Sequence, residues 1–285
     1  MKEKKKQLSQ RWRYDGGHGA LVWQMMFTEH GDLIGQKRFA SNRQTLYFCI
    51  EPETGKVLCD NYLLMDHALP AGDGWFTGLE TTWKDFAYCY ACLPLSPEHK
   101  GVWAIDFRTG KVVWSRSDIG FVANLNDKFL VSRSSVFGGF PERTFLFVDP
   151  LTGSTISQHA LDSAQVNALR QEAVPEEIRQ KVILPCILNE EMAEIPLVIK
   201  NMGFNTPALC EYILQETLTV VALHEKTKLT GLWRSSLKVW SMDCLVYADS
   251  MEECAEKPCL NNFLIRGDNL YYLKEKGEIV CVVLS

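Results

Sequence analysis

The stretch WAIDFRTGKVVW, residues 103–114, decides the fold. Val102, Ala104 and Asp106 alternate with Trp103, Ile105 and Phe107, mixing β-branched and aromatic side chains at a period of two, which predicts a strand with two different faces. Arg108 to Gly110 predicts a tight hairpin turn. Glycine at 110 reaches positive φ without steric cost, and the Asp106 carboxylate and Thr109 hydroxyl can hydrogen-bond the turn backbone. Lys111 to Trp114 is the returning strand.

The same shape recurs. YFCIEPETGKVLC (47–59) carries Thr54-Gly55 and TFLFVDPLTGSTI (144–156) carries Thr152-Gly153, while decayed copies stand at VVALHEKTKLTGLW (220–233) and LYYLKEKGEIVCV (270–282). The first three turn glycines are 55 and 43 residues apart. A multi-strand repeat of about 40–50 residues predicts the blades of an all-β propeller, because one blade cannot bury both of its faces alone.

Ala104, Asp106, Thr109, Gly110 and Trp114 together resemble the docking repeat of the quinoprotein-like propellers, in which the tryptophan wedges between neighbouring blades. This copy is the complete one. Cys59 stands where the first copy would have its tryptophan, and His159 lies near that place in the third. The wider layout, with WFTGLE (75–80), the 102–114 repeat and the ending NFLIRGDNLYYLKEKGEIVCVVL, also resembles an uncharacterised bacterial family of single-domain propeller-like proteins. That resemblance implies a shape and no chemistry.

With 285 residues and 46% hydrophobic composition, one all-β domain over 12–285 is expected, after a disordered basic tail at 1–11. No apolar run is long enough to span a membrane, and the basic start MKEKKKQLSQRW lacks the apolar core of a signal peptide, so a cytoplasmic protein is expected. The formal charge is −5; residues 2–6 carry +3, leaving −8 for the remainder, which argues against nucleic acid as a partner. Ten cysteines fit a reducing compartment. In FAYCYACL (86–93), alternation puts Cys89 and Cys92 on opposite faces, against the convergent thiols that a zinc or redox pair needs. Cys254 and Cys259 have no partner pair of matching spacing.

Four strands per blade predict blade one over 12–64, blade two over 73–117 and blade three over 118–161. DSAQVNALRQEAVPEEIRQKV (162–182) shows no alternation and predicts a short helical insertion, its second segment starting at Pro175 with Glu176 and Glu177 in the first turn. PLVIKN (196–201), CEYIL, LTVVALHE and GLWRSSL predict blade four, and KVWSMDCLVYAD (238–249) opens blade five. Ser250 to Glu253 has the form of a capping box and predicts one helical turn. Five blades result, or six if VILPCIL and PLVIKN supply another.

Long connections at 66–74, 93–101 and 134–143 should lie at one end of the propeller, and binding residues are expected there. The candidates are His67, Asp73, Trp75, His99, Arg133 and Arg143. His67, His99, Asp73 and Glu98 could be drawn into a metal site, but six scattered histidines show no ligand spacing. Arg133 and Arg143 flank Gly138-Gly139 and could clasp a carboxylate or phosphate. Trp103, Trp114, Trp233 and Trp240 read as packing between blades, and Trp75 as a tryptophan that faces a ligand. His18 in DGGHGA lacks a following helix and reads as a turn rather than a phosphate loop. No catalytic or cofactor motif stands out. A non-catalytic binding or scaffolding protein, holding a protein partner or small molecule and needing no cofactor, is the expectation; the alternative is a quinone- or metal-dependent enzyme.

Overall fold

The computed structural model describes residues 7–93, 95–159, 161–188, 209–227, 230–242 and 244–285. The chain divides into two compact units, His18–Gln180, and Met1–Gly17 with Lys181–Ser285. Both are built from antiparallel sheets, so the protein is all-β apart from its helical insertion.

Strand β1 (Gln10–Asp15) belongs to the second unit. In the 18–180 unit the first sheet is β2 (Ala20–Phe27), β3 (Leu33–Phe39), β4 (Gln44–Ile50) and β5 (Val57–Tyr62), in that order. A small hairpin follows, β6 (Met65–Asp66) with β7 (Leu69–Pro70). The second sheet is β8 (Thr77–Trp83), β9 (Phe86–Leu93), β10 (Ser96–Asp106) and β11 (Lys111–Arg116); the third is β12 (Gly120–Asn124), β13 (Phe129–Phe137), β14 (Phe140–Val148) and β15 (Thr155–His159).

The second sheet buries its two faces against different neighbours. Ile34, Tyr47 and Cys49 of the first sheet pack on Leu79, Cys89 and Ile105 of the second, while Tyr88, Val102 and Ala104 on the second sheet's other face pack on Phe129, Val131 and Val148 of the third. Alternation along β9 therefore sends Ala87, Cys89 and Ala91 one way and Phe86 and Tyr88 the other. Burial pushes the Cys89 thiol well up.

The turn motif works through its acid. Asp106 Oδ1 accepts from the amides of Arg108 (2.9 Å) and Thr109 (3.3 Å), and Asp149 Oδ1 repeats this with Leu151 (2.8 Å) and Thr152 (2.9 Å). The Trp114 indole donates to the carbonyl of Pro150 at 2.7 Å, and the Tyr88 hydroxyl donates to the same oxygen at 2.9 Å. The second sheet thus grips the turn of the third.

The insertion forms helices α1 (Ser163–Glu172) and α2 (Glu176–Arg179). A capping box between Asp162 and Gln165 starts α1, and its Val166 packs on Ala123 and Leu130 of the third sheet. Residues of α2 and the position after it reach the first strands of the first two sheets, and the first strand of the third joins them through Thr81. Gln180 Oε1 accepts from the Phe27 amide (2.8 Å) on β2; Thr81 on β8 donates to Glu176 and accepts from Arg179 (2.7 Å); Asn124 on β12 donates to Thr81 (3.0 Å).

The second unit holds β16 (Val182–Ile183), β17 (Cys186–Leu188), β18 (Leu209–Leu214), β19 (Leu218–Lys226), β20 (Trp233–Ser241), β21 (Cys244–Ala255), β22 (Phe263–Arg266), β23 (Asn269–Lys274) and β24 (Glu278–Val283). Its sheets run β17-β18-β19-β20-β21 and β1-β24-β23-β22-β16, and share a core that includes Ile213, Val220 and Leu237 against Phe263, Tyr272 and Val280.

Several sequence expectations are corrected. The connections at 93–101 and 134–143 are not long loops: β10 begins at Ser96, and β13 and β14 pair as far as Phe137 and Phe140 around the two glycines. KVWSMDCLVYAD opens no new sheet, because Met242 takes φ +51 in a turn and the chain returns as β21 on the same sheet. Ser250 to Glu253 continues that strand, since Met251 is buried in the core and burial outweighs the capping pattern. Gln10 and Arg11, placed in the tail, already belong to β1, which pairs with β24. Cys186–Leu188 rather than PLVIKN is the strand seen beside β18; PLVIKN lies outside the described residues.

Candidate functional site

Three neighbouring strands of the second sheet present Glu80, Tyr90 and His99 together. His99 Nδ1 lies 2.6 Å from Glu80 Oε2, and the Tyr90 ring stacks on the imidazole at 3.5 Å between centroids and 8° between planes. The carboxylate and the stacked ring fix the imidazole, leaving Nε2 as the nitrogen available to a ligand. Gly120 lets β12 come close: a Cβ there would stand 2.8 Å from the His99 carbonyl oxygen.

Glu80 and His99 line a hollow of about 480 Å³, closed on its other sides by Ser132 and Arg143 of the third sheet and by Asn167 and Arg170 of α1. A smaller hollow of about 180 Å³ adjoins it, where Glu98, His99, Lys100, Asp118, Ser132 and Ser134 meet. Lys100 also lines a third hollow, of about 400 Å³, with Asp66, Asp73 and Trp103.

The acids here are answered. Arg143 pairs with Glu98, and Asp118 takes Arg116 at 2.9 Å and Arg133 at 2.6 Å. The Arg116 guanidinium, with Arg133 behind it, brings the Asp118 carboxyl down to about 2 against the opposing effect of desolvation. Lys100 and Arg170 have no partner among the described residues, so the face offers two uncommitted cations.

The candidates from sequence are only partly brought together. His99 and Arg143 share the large hollow, and Arg133 reaches the adjoining one through Asp118. Arg133 and Arg143 do not clasp one anion, since each holds its own carboxylate. Asp73 lines the third hollow. His67 sits at φ +54 in the β6–β7 turn with its side chain in solvent, 4.0 Å from Asp66, and does not meet His99. Trp75 is absent from all three linings; its ring lies 5.5 Å from the Arg38 guanidinium, which also covers Trp23 at 4.7 Å. Glu80, Tyr90, Lys100, Asp118 and Arg170 are site residues that sequence reasoning passes over. Among the described residues no group of three or more His, Cys, Asp or Glu is gathered as a metal ion requires, and all ten cysteines are free thiols.

A second polar cluster lies in the other unit. His224, Glu211 and Ser235 are wholly buried, with His224 Nε2 3.1 Å from Glu211 and Nδ1 2.8 Å from Ser235. The Asn261 amide donates to the other Glu211 oxygen at 2.8 Å. Out of reach of solvent, the cluster fixes the register of β18, β19 and β20 and offers no site for a substrate.

Residues 28–114 match the family model described as "Domain of unknown function (DUF4905)", a stretch that contains WFTGLE and the 103–114 repeat. The match shows no quinoprotein-repeat family. No curated protein matches. No described helix is long and apolar enough to cross a membrane. Among solved structures, the chain is similar to BBS1N in complex with ARL6DN (7% identity, 94% of this chain and 67% of that one, TM-score 0.28). It is also similar to Zg3597, a family 117 glycoside hydrolase of Zobellia galactanivorans (9%, 98% and 90%, TM-score 0.31), and to the AfRom2 CNH domain (9%, 98% and 99%, TM-score 0.30).

Proposed function

We propose that this chain is a non-catalytic β-propeller whose five successive sheets are blades, and that it binds or scaffolds a protein partner or small molecule at the end carrying His99, Lys100 and Arg143. Consecutive four-stranded meanders, a turn motif repeated between them and the pairing of β1 with the C-terminal strand β24 support the propeller reading. The observation that carries the binding reading is the convergence of His99, Arg143 and Arg170, from two sheets and a helix, on one hollow. With the acids there already paired, Lys100 and Arg170 favour acidic groups on whatever docks. A cytoplasmic setting, where ten thiols persist, belongs to the same proposal.

The test is affinity capture from the native cell with wild type and charge-reversed variants. Lys100→Glu and Arg143→Glu should lose what the wild type retains, with melting unchanged, while Lys56→Glu and Lys111→Glu at the opposite hairpins keep it. The reverse pattern would place the working face at the wrong end.

A further inference from the structure

Ser132 on β13 is 9% exposed, and its hydroxyl has no partner among the described residues. It faces open space all the same, since it lines both the hollow of about 480 Å³ and the smaller one beside it. Its register partner across the strand pair is Gly120 of β12, where a Cβ would stand 2.8 Å from the His99 carbonyl oxygen and 3.5 Å from Ser132 Oγ. Gly120 takes no left-handed backbone, so what glycine contributes there is space. It admits the backbone of β10 and leaves the Ser132 hydroxyl uncovered.

The charges around that hydroxyl lean one way. Glu80 is taken by His99 and Glu98 by Arg143, which leaves Arg170, in the last turn of α1, as the surplus cation of the large hollow. Arg143 meets Glu98 through Nη2, and the other N–H groups of its fork remain to donate. Much of the remaining wall is apolar, with Phe121 and Val122 of β12, Phe145 of β14 and Val166 of α1. An inorganic anion would meet the donors and leave this wall bare; a neutral hydrocarbon would cover the wall and leave Ser132 and Arg170 unmet. A molecule that carries an acid on an apolar body meets both. With one surplus cation and two carboxylates close by, a single negative charge suits the place better than the double charge of a phosphate monoester.

We propose that this hollow binds a small monocarboxylic acid with an apolar body, its carboxylate accepting from the Ser132 hydroxyl and the Arg143 and Arg170 guanidinium groups, and its hydrocarbon lying against Phe121, Val122 and Phe145. The assignment rests on reading this end of the 18–180 unit as a binding face, and supplies that face with a ligand class.

Calorimetric titration of the full chain with hydrocinnamate, its neutral isostere hydrocinnamamide, and acetate tests it. Hydrocinnamate should bind saturably below about 10 mM, and the amide and acetate each at least about tenfold more weakly. Ser132→Ala removes a hydroxyl that bonds to no described residue, and Arg170→Gln changes an exposed side chain; each should weaken hydrocinnamate about fivefold or more while melting as wild type does. Absence of saturable hydrocinnamate binding, equal binding of the amide or of acetate, or undiminished binding by Ser132→Ala or Arg170→Gln overturns the assignment. Hydrocinnamate binding alongside unchanged capture by Lys100→Glu and Arg143→Glu would overturn the partner reading alone, whereas loss of capture without hydrocinnamate binding would overturn this assignment alone.

Discussion

Gly110 and Gly153 occupy the same place in two copies of one turn, with φ of +68 and +69, and should nevertheless respond differently to alanine. The shared cost is the left-handed backbone, about 1–2 kcal/mol for a residue with a Cβ, offset by about 0.4–1 kcal/mol from the restricted unfolded chain. At Gly110 little is added, because the nearest atom to a new Cβ is on the Tyr62 ring at 3.9 Å. At Gly153 a Cβ would stand 2.7 Å from Cδ2 and Cε3 of Trp114, whose ring is held by its bond to Pro150 and its contact with Tyr88. Such overpacking costs about 1–3 kcal/mol further. Urea denaturation should therefore find Gly153→Ala less stable than Gly110→Ala by about 1–3 kcal/mol. Trp114→Ala, costing about 3–5 kcal/mol alone, should absorb most of the penalty when combined with Gly153→Ala. Equal losses in the two glycine variants, or strictly additive effects in the double variant, would refute the idea that the tryptophan of one sheet sits on the turn of the next.

Glu176→Ala should cost about 2–3 kcal/mol in the same assay, because it strips Arg179 and Thr81 of their shared acceptor beside the first strands of three sheets; a loss under about 0.5 kcal/mol would show α2 to be a loosely attached insertion. His224→Leu should be more severe, about 3–5 kcal/mol, since it leaves the Glu211 carboxylate buried with only the Asn261 amide of its partners; a soluble, normally melting variant would contradict that. Asp118 carries a pH dependence of definite sign. Its folded value, near 2, lies below that of an unfolded aspartate, so its contribution is present above about pH 4 and lost as pH falls through about 2. Asp118→Asn should consequently melt below wild type near neutrality and approach it at low pH, by a modest margin because the carboxylate is about half exposed; a constant difference across that window would mean that the charge does not matter.

The parts of the fold legible in the sequence are those carried by local chemistry. Alternation and Thr-Gly turns mark the strands of the three sheets between 20 and 159 because both signals arise within a few residues. The pairing of β1 with β24 joins Trp12 to Cys281, and no pattern near Trp12 carries that information. Val182–Ile183 and Cys186–Leu188 are too short to show a period, yet each takes the edge of a different sheet. Ser250 to Glu253 failed as a helix because a capping pattern stabilises only a helix that something else favours, and Met251 gains more from the core. The two glycines and the proline of 134–143 point to a loop, whereas Gly138 and Gly139, at φ +57 and +84, confine the turn to two residues and let the strands run on.

The candidate site was less legible because irregular strands create it. Glu80 falls where the β8–β9 register shifts between Leu79 and Thr81, and β10 shifts against β9 between Ser96 and His99 and again between Lys100 and Trp103. Each such shift changes which side chains share a face, so counting by twos from either end cannot place Glu80, Tyr90 and His99 together. The same irregularity separates the two roles of β10. Beyond the second shift Trp103, Ala104 and Ile105 return to the core, while His99 and Lys100 before it stand at the hollows.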